Sequence, residues 1–272
     1  MVALFSGRDV PGRYGRLARS ALLGVLLSSA PSFAEPGPAE WPAHIDDLKL
    51  LLEREPRNPN HYLRIAQAYS VIGDTRQVID YARMAQERGA HATQAYLLIG
   101  DHFLRLGKYD RALNAFQRAL RNTPENARGW TQMWRALYEL RRENQQSAID
   151  TTTIGQDLEA QGFYFPEAWR QPGEPPTEDP EIARRLTRTG YRALERDDVA
   201  GAVRSFRQAL NAEPTYAEAF RGLGIAHARK RRLKLALGAY TLFLELAGAD
   251  NPDIPAIRKI IVDFYRSKST GG

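Results

Sequence analysis

The sequence predicts an all-α fold: a solenoid of paired helices, built as two short arrays joined by a proline-rich segment. Three observations predict it. Apolar residues recur at helical spacing over most of residues 43–266. The pattern returns every 34 residues. Small residues and prolines recur at fixed places inside the period, so close helix approach and chain breaks are periodic too. Hydrophobic residues make up 43% of the 272, enough to fill a core.

The elements follow in chain order. Residues 1–34 read as an export signal. Arg8, Arg13, Arg16 and Arg19 form a basic start, 21–27 an apolar run, and Ser32-Phe33-Ala34 a small-residue cleavage site, with cleavage expected after Ala34. The apolar run is about half the ~20 residues a membrane-spanning helix needs. Ile45, Leu48, Leu51 and Leu52 then stripe a single helix, an N-terminal cap or half-repeat. The unit 59–92 carries Tyr62, Ile65-Ala66, Tyr69, Gly73, Val78, Ala82 and Ala85. The unit 93–126 carries Tyr96, Ile99-Gly100, Phe103, Gly107, Tyr109, Ala112, Phe116, Ala119 and Pro124. The unit 127–160 opens with Trp130, Met133, Trp134 and Leu137, but Gln146 and Asp150 stand where a small residue and an aromatic are expected, so its second helix is degenerate.

Residues 161–180 hold five prolines, which forbid a long helix. They also hold Phe163-Tyr164-Phe165 and Trp169, aromatics that would pack against the degenerate unit or dock a partner. The frame resumes with 183–216 (Leu186, Gly190, Ala202, Phe206, Ala209, Pro214) and 217–250 (Phe220, Leu223-Gly224, Ala236, Tyr240, Phe243). Ile254, Ile257, Ile261 and Phe264 stripe a last helix that caps the open end. The expected organisation is therefore signal 1–34, N-terminal array 35–160, linker 161–180, and C-terminal array with capping helix 181–272.

The 93, 183 and 217 units resemble the tetratricopeptide repeat position for position. That resemblance implies a non-catalytic binding scaffold, with positions 2, 5, 9, 12 and 13 of each first helix lining a concave face. On this chain those positions give Asn60, Leu63, Gln67, Gln94, Leu97, Asp101, Leu104 and Arg105 in the N-terminal array. In the C-terminal array they give Arg184, Thr187, Tyr191, Glu218, Arg221, Ile225 and Arg229, with Arg188 beside them. The two-carboxylate clamp by which some members hold chaperone tails is not matched. Leu63, Gln67, Leu98, Arg128 and Gln132 occupy its places, and only Arg128 is chemically similar.

No residue pattern points to catalysis. Zero cysteines exclude a disulfide framework, a thiolate zinc site, a cysteine nucleophile and a lipoprotein anchor. His44, His61, His91, His102 and His227 show no metal-ligand spacing, and neither a P-loop nor a nucleophile elbow is present. His227 falls at a packing position and Thr151–Thr153 in a weak helix or loop. No cofactor or metal is expected.

Charge is segregated. Residues 35–160 hold 16 basic and 17 acidic side chains, and 161–180 hold one and four. Residues 181–272 hold 17 and 10, concentrated at Arg184, Arg185, Arg188, Arg192, Arg196 and in 229–234. Such a field attracts acidic proteins, anionic lipid or acidic polysaccharide. Nucleic acid is an unexpected partner for an exported chain. The expectation is a periplasmic scaffold that holds other envelope proteins or peptides, reaching the outer membrane only through partners. The family resemblance implies service in motility, pilus, secretion or export machinery, with an anionic polymer or membrane surface as the alternative ligand of the basic half.

Overall fold

The structure, a computed structural model, describes residues 40–145, 147–171 and 173–269; the expected export signal and Gln146 lie outside them. Twelve α-helices and one 3₁₀ turn account for the described residues, with no strand among them. They are α1 (Trp41–Arg54), α2 (Pro59–Ile72), α3 (Thr75–Glu87), α4 (Ala92–Arg105), α5 (Tyr109–Asn122), α6 (Ala127–Arg142), α7 (Thr151–Ala160), the 3₁₀ turn Glu167–Trp169, α8 (Pro180–Glu195), α9 (Val199–Ala212), α10 (Ala217–Arg229), α11 (Leu233–Leu246) and α12 (Ile254–Ser269). The described helices belong to one compact unit.

Helix starts follow from local chemistry. Asn58, Asp74, Asn126, Asp150, Asp179 and Asp198 each accept a hydrogen bond from a backbone N–H in the first turn of the helix that follows. Pro59 and Pro180 begin α2 and α8, where a missing N–H costs nothing.

The 34-residue period has a steric basis in the pairs α4/α5, α8/α9 and α10/α11. A Cβ placed on Gly100 would stand 2.3 Å from the Phe116 ring, on Gly190 2.6 Å from Phe206, and on Gly224 2.3 Å from Tyr240. The absent side chain on one helix is the seat of the aromatic ring sixteen residues on. In the α2/α3 pair the same two places are Ala66 and Ala82, both fully buried, so small meets small. The turns between paired helices share a second feature. Gly73, Gly107, Asp197 and Arg231 occupy the same place in four units, and all have positive φ, at 84°, 67°, 58° and 55°.

The unit 127–160 departs from the frame as its sequence suggests. Helix α6 is regular and ends at Arg142, but its partner α7 starts only at Thr151. Thr151 and Thr152 both donate their hydroxyls to the Arg170 carbonyl.

The segment after α7 is core. Phe163, Tyr164, Phe165 and Trp169 are all buried. Irregular backbone in a core needs hydrogen-bond partners for its carbonyls, and two arginines with others supply them. Arg170 donates to the Phe165 carbonyl and pairs with Glu159 at 2.5 Å. Arg141 donates to the carbonyls of Trp169 and Gly173 at 3.0 Å each. Trp134 Nε1 donates to the Tyr164 carbonyl, and Trp169 Nε1 to that of Asn211 on α9. The Gly162 carbonyl lies where a Cβ on Gly238 of α11 would be, 2.2 Å away.

One apolar core therefore runs without interruption from Leu97 of α4 to Ile257 of α12. Separate small clusters form around Ile45, Leu48 and Ile65 of α1 and α2, and around Ala66, Ala82 and Ala95 of α2, α3 and α4.

Candidate functional site

The first helices of the pairs bring the groove-lining residues together in two charged clusters. The first lies along α4 and α6. Asp101 pairs with Arg128 at 2.6 Å, and Arg105 and Arg135 also act on its carboxyl. Burial nevertheless pushes that carboxyl above its ordinary range. Arg135 in turn pairs with Glu245 of α11 at 3.0 Å, and Glu245 is likewise raised by burial. Arg105 donates to Ser70 on α2, and Ser70 also bonds Nδ1 of the fully buried His102, whose Nε2 meets Thr75 at 2.9 Å. The chain of contacts ties α2, α3 and α4 side by side under the groove.

Helix α11 closes one end of this surface. Trp134 of α6 meets Phe220 of α10 edge-on at 5.9 Å, and Glu245 of α11 pairs with Arg135 on the same helix as Trp134. The groove of the N-terminal half thus ends at α6. What remains accessible is Asn60, Gln94 and Arg105, exposed, with Leu63, Gln67, Asp101 and Leu104, half-buried. Leu97 is buried in the core against α6 and offers no contact surface. Gln132, four residues from Arg128, keeps its Oε1 buried with no hydrogen-bond partner among the described residues.

The second cluster spends its groove residues on the chain itself. Tyr191 donates its hydroxyl to the Glu218 carbonyl, and burial raises its pKa above the ordinary phenol range. Arg221 lies 5.2 Å from the Tyr191 ring centre and pairs with Glu218 at 2.9 Å and with Asp253 at 3.0 Å. Asn251 donates to Glu218 as well. Residues 251 and 253, just before α12, therefore lie against Glu218 and Arg221. Arg229 caps α8 by donating to the Leu194 carbonyl at 2.6 Å, and Thr187 is buried. Arg184 and Arg188 are exposed and Ile225 half-buried.

Sequence periodicity finds most of these residues but not their pairing. Glu245 lies on a second helix, where the groove positions give no reason to look. Arg141 and Arg170 break no apolar pattern, and only the fold shows that each holds a buried carbonyl. No group of three or more His, Asp or Glu side chains suited to a metal ion occurs among the described residues. No described helix is long and apolar enough to cross a membrane.

Comparison with known proteins agrees with this architecture. The tetratricopeptide-repeat family model matches residues 97–151 and 187–251. No curated protein matches. Among solved structures, the chain is similar to YrrB, described as a tetratricopeptide-repeat protein with an unusual peptide-binding site. The two are 16% identical over 79% of this chain and 99% of that one, with a TM-score of 0.37. It is also similar to MamA, at 14% identity over 76% and 88% of the two chains and a TM-score of 0.31. A MamA fragment from Desulfovibrio magneticus RS-1 is 16% identical over 71% and 97%, with a TM-score of 0.33. These are likenesses of fold at low identity, and nothing about a ligand follows from them. The paired helices, their common 34-residue period and the family match together make this chain a tetratricopeptide-repeat protein.

Proposed function

We propose that the chain is an exported, non-catalytic scaffold that seats an extended segment of another envelope protein on the groove of α2, α4 and α6. The observation that carries this reading is the contrast between the two halves. In the C-terminal half Tyr191, Glu218 and Arg221 are tied to one another, with Asn251 and Asp253 closing over them. In the N-terminal half Leu63, Gln67 and Leu104 stay half-exposed beside Arg105, and Gln132 Oε1 lacks a partner among the described residues. A surface of apolar spots with flanking amides and charges suits a peptide whose side chains alternate between them. Concave faces of this kind are how helical solenoids meet partners.

Export rests on the sequence of residues 1–34, and assembly of motility, pilus, secretion or export machinery on the family resemblance. The mature chain is expected to begin at Glu35, which N-terminal sequencing of protein recovered from the periplasm checks; a retained Met1 overturns it. For the groove, Leu63→Asp with Arg105→Glu is expected to weaken a stoichiometric partner captured from envelope extracts at least 10-fold, the scale of losing a central contact. Leu63 packs against the Ala66 cluster and Arg105 bonds Ser70, so the variant is expected to melt lower, and affinities are compared at a temperature where both chains are folded. Unchanged partner affinity rules the groove out.

A further inference from the structure

We propose that the turn between α10 and α11 is a docking edge for an anionic lipid surface, separate from the groove. Two inter-helix turns meet here: Arg229 reaches from the end of α10 to the Leu194 carbonyl and to Asp197 at 3.7 Å. Around them stand Arg192, Arg196, Lys230, Arg231, Arg232 and Lys234, all exposed and none in an ion pair among the described residues. Opposing acids are few. Asp197 is beside Arg229, Asp198 is occupied capping α9, and Glu195 remains. Leu233 projects from the middle of the cations with 51% of its surface exposed. A cationic rim around an exposed leucine matches a bilayer of acidic headgroups over hydrocarbon better than a soluble polyanion, which has no use for the leucine.

The local backbone supports a role other than folding. The equivalent turn residues at 73 and 74 are Gly and Asp: the glycine takes a positive φ freely, and the aspartate caps α3. Here Arg231 is forced to φ 55°, and Arg232 stands at the N-cap of α11 with no side-chain cap. Arg232 and Lys234 also place positive charge at the positive end of the helix dipole. Each of these choices is worse for stability than Gly-Asp, and each adds a cation to the same edge.

The test is sedimentation of the full chain with vesicles of phosphatidylglycerol in phosphatidylcholine, against pure phosphatidylcholine, at low and high salt. Variants are compared with the parent, so residues 1–34 contribute equally. The double variant R231G/R232D should melt about 2–6 °C higher and bind acidic vesicles about 100-fold more weakly, at roughly fivefold per unit of charge. As a control, D197G should also melt higher without losing vesicle binding. L233S should weaken vesicle binding and leave binding to soluble polyphosphate unchanged. Vesicle binding that ignores salt, or an R231G/R232D chain that is less stable or binds like the parent, overturns the proposal. Equal response of vesicle and polyphosphate binding to L233S overturns the lipid in favour of a soluble polyanion.

Discussion

Replacing Trp169 by alanine is expected to cost about 3–5 kcal/mol, the range for emptying a fully buried aromatic site, and to lower the melting of both halves together. Trp169 is 1% exposed. Its ring lies 5.5 Å from that of Tyr138 on α6, its Nε1 donates to Asn211 on α9, and its carbonyl receives the Arg141 guanidinium. Truncation therefore opens a void between helices from either side of the proline-rich segment and loosens the arginine that holds the segment's backbone. Because one core runs from Leu97 to Ile257, the loss should appear as a single shifted transition in calorimetry. The comparison variant is Trp41→Ala, which trims a partly buried ring at the small N-terminal cluster and should cost far less. Two separable transitions in the parent, with Trp169→Ala moving only one, would show that the segment is a tether between independent arrays.

The period was legible because it is steric. A glycine facing an aromatic ring sixteen residues on is a one-dimensional signal of a three-dimensional contact, and it recurs at Gly100, Gly190 and Gly224. The aromatics of 163–169 were legible as residues that resist solvent, and their burial agrees with packing. What covers them was not, since Arg141, Arg170 and the Gly162–Gly238 contact are separated from their partners by no repeated spacing. The groove positions carried over from the repeat include accessible residues such as Asn60 and Gln94, and also Leu97 and Thr187, which the fold buries. They do not say which are free, because that depends on α11 closing over α6 and on residues 251–253 lying against Arg221. The first of these contacts joins helices on either side of the 22 residues by which 127–183 exceeds one period, and the second lies within the C-terminal half. Sequence marks the interruption, while its direction is decided by how Phe163 to Trp169 pack.

Acidification from pH 6.5 to 4 should destabilise the protein by on the order of 3 kcal/mol through His227 alone. The side chain is 6% exposed in α10, and burial, with Arg207 and Arg232 nearby, holds it down to about 4 against only the opposing pull of Glu159. Between that value and the ordinary 6.5 the unfolded chain binds a proton that the folded chain refuses. Stability is therefore complete above the unfolded value and is lost as pH falls through the window. His102, also lowered by burial, acts in the same direction. Asp101, Glu213 and Glu245 act in the opposite one, because burial raises them and the folded chain takes their protons first. The total pH profile mixes these effects, so the measurement is a difference: urea unfolding of the parent and of His227→Gln at pH 7.5, 5.5 and 4.5. The parent's advantage should shrink steadily across the three, and parallel profiles would remove His227 as the cause. Arg232 supplies a further check, since it acts both on this ring and on the cationic edge. In the R231G/R232D chain the positive neighbour is gone and a carboxylate stands in its place, so the imidazole takes up its proton at higher pH and the acid loss becomes smaller. A surface change made to remove lipid contact should thus be read out inside the core, at a ring the lipid never touches.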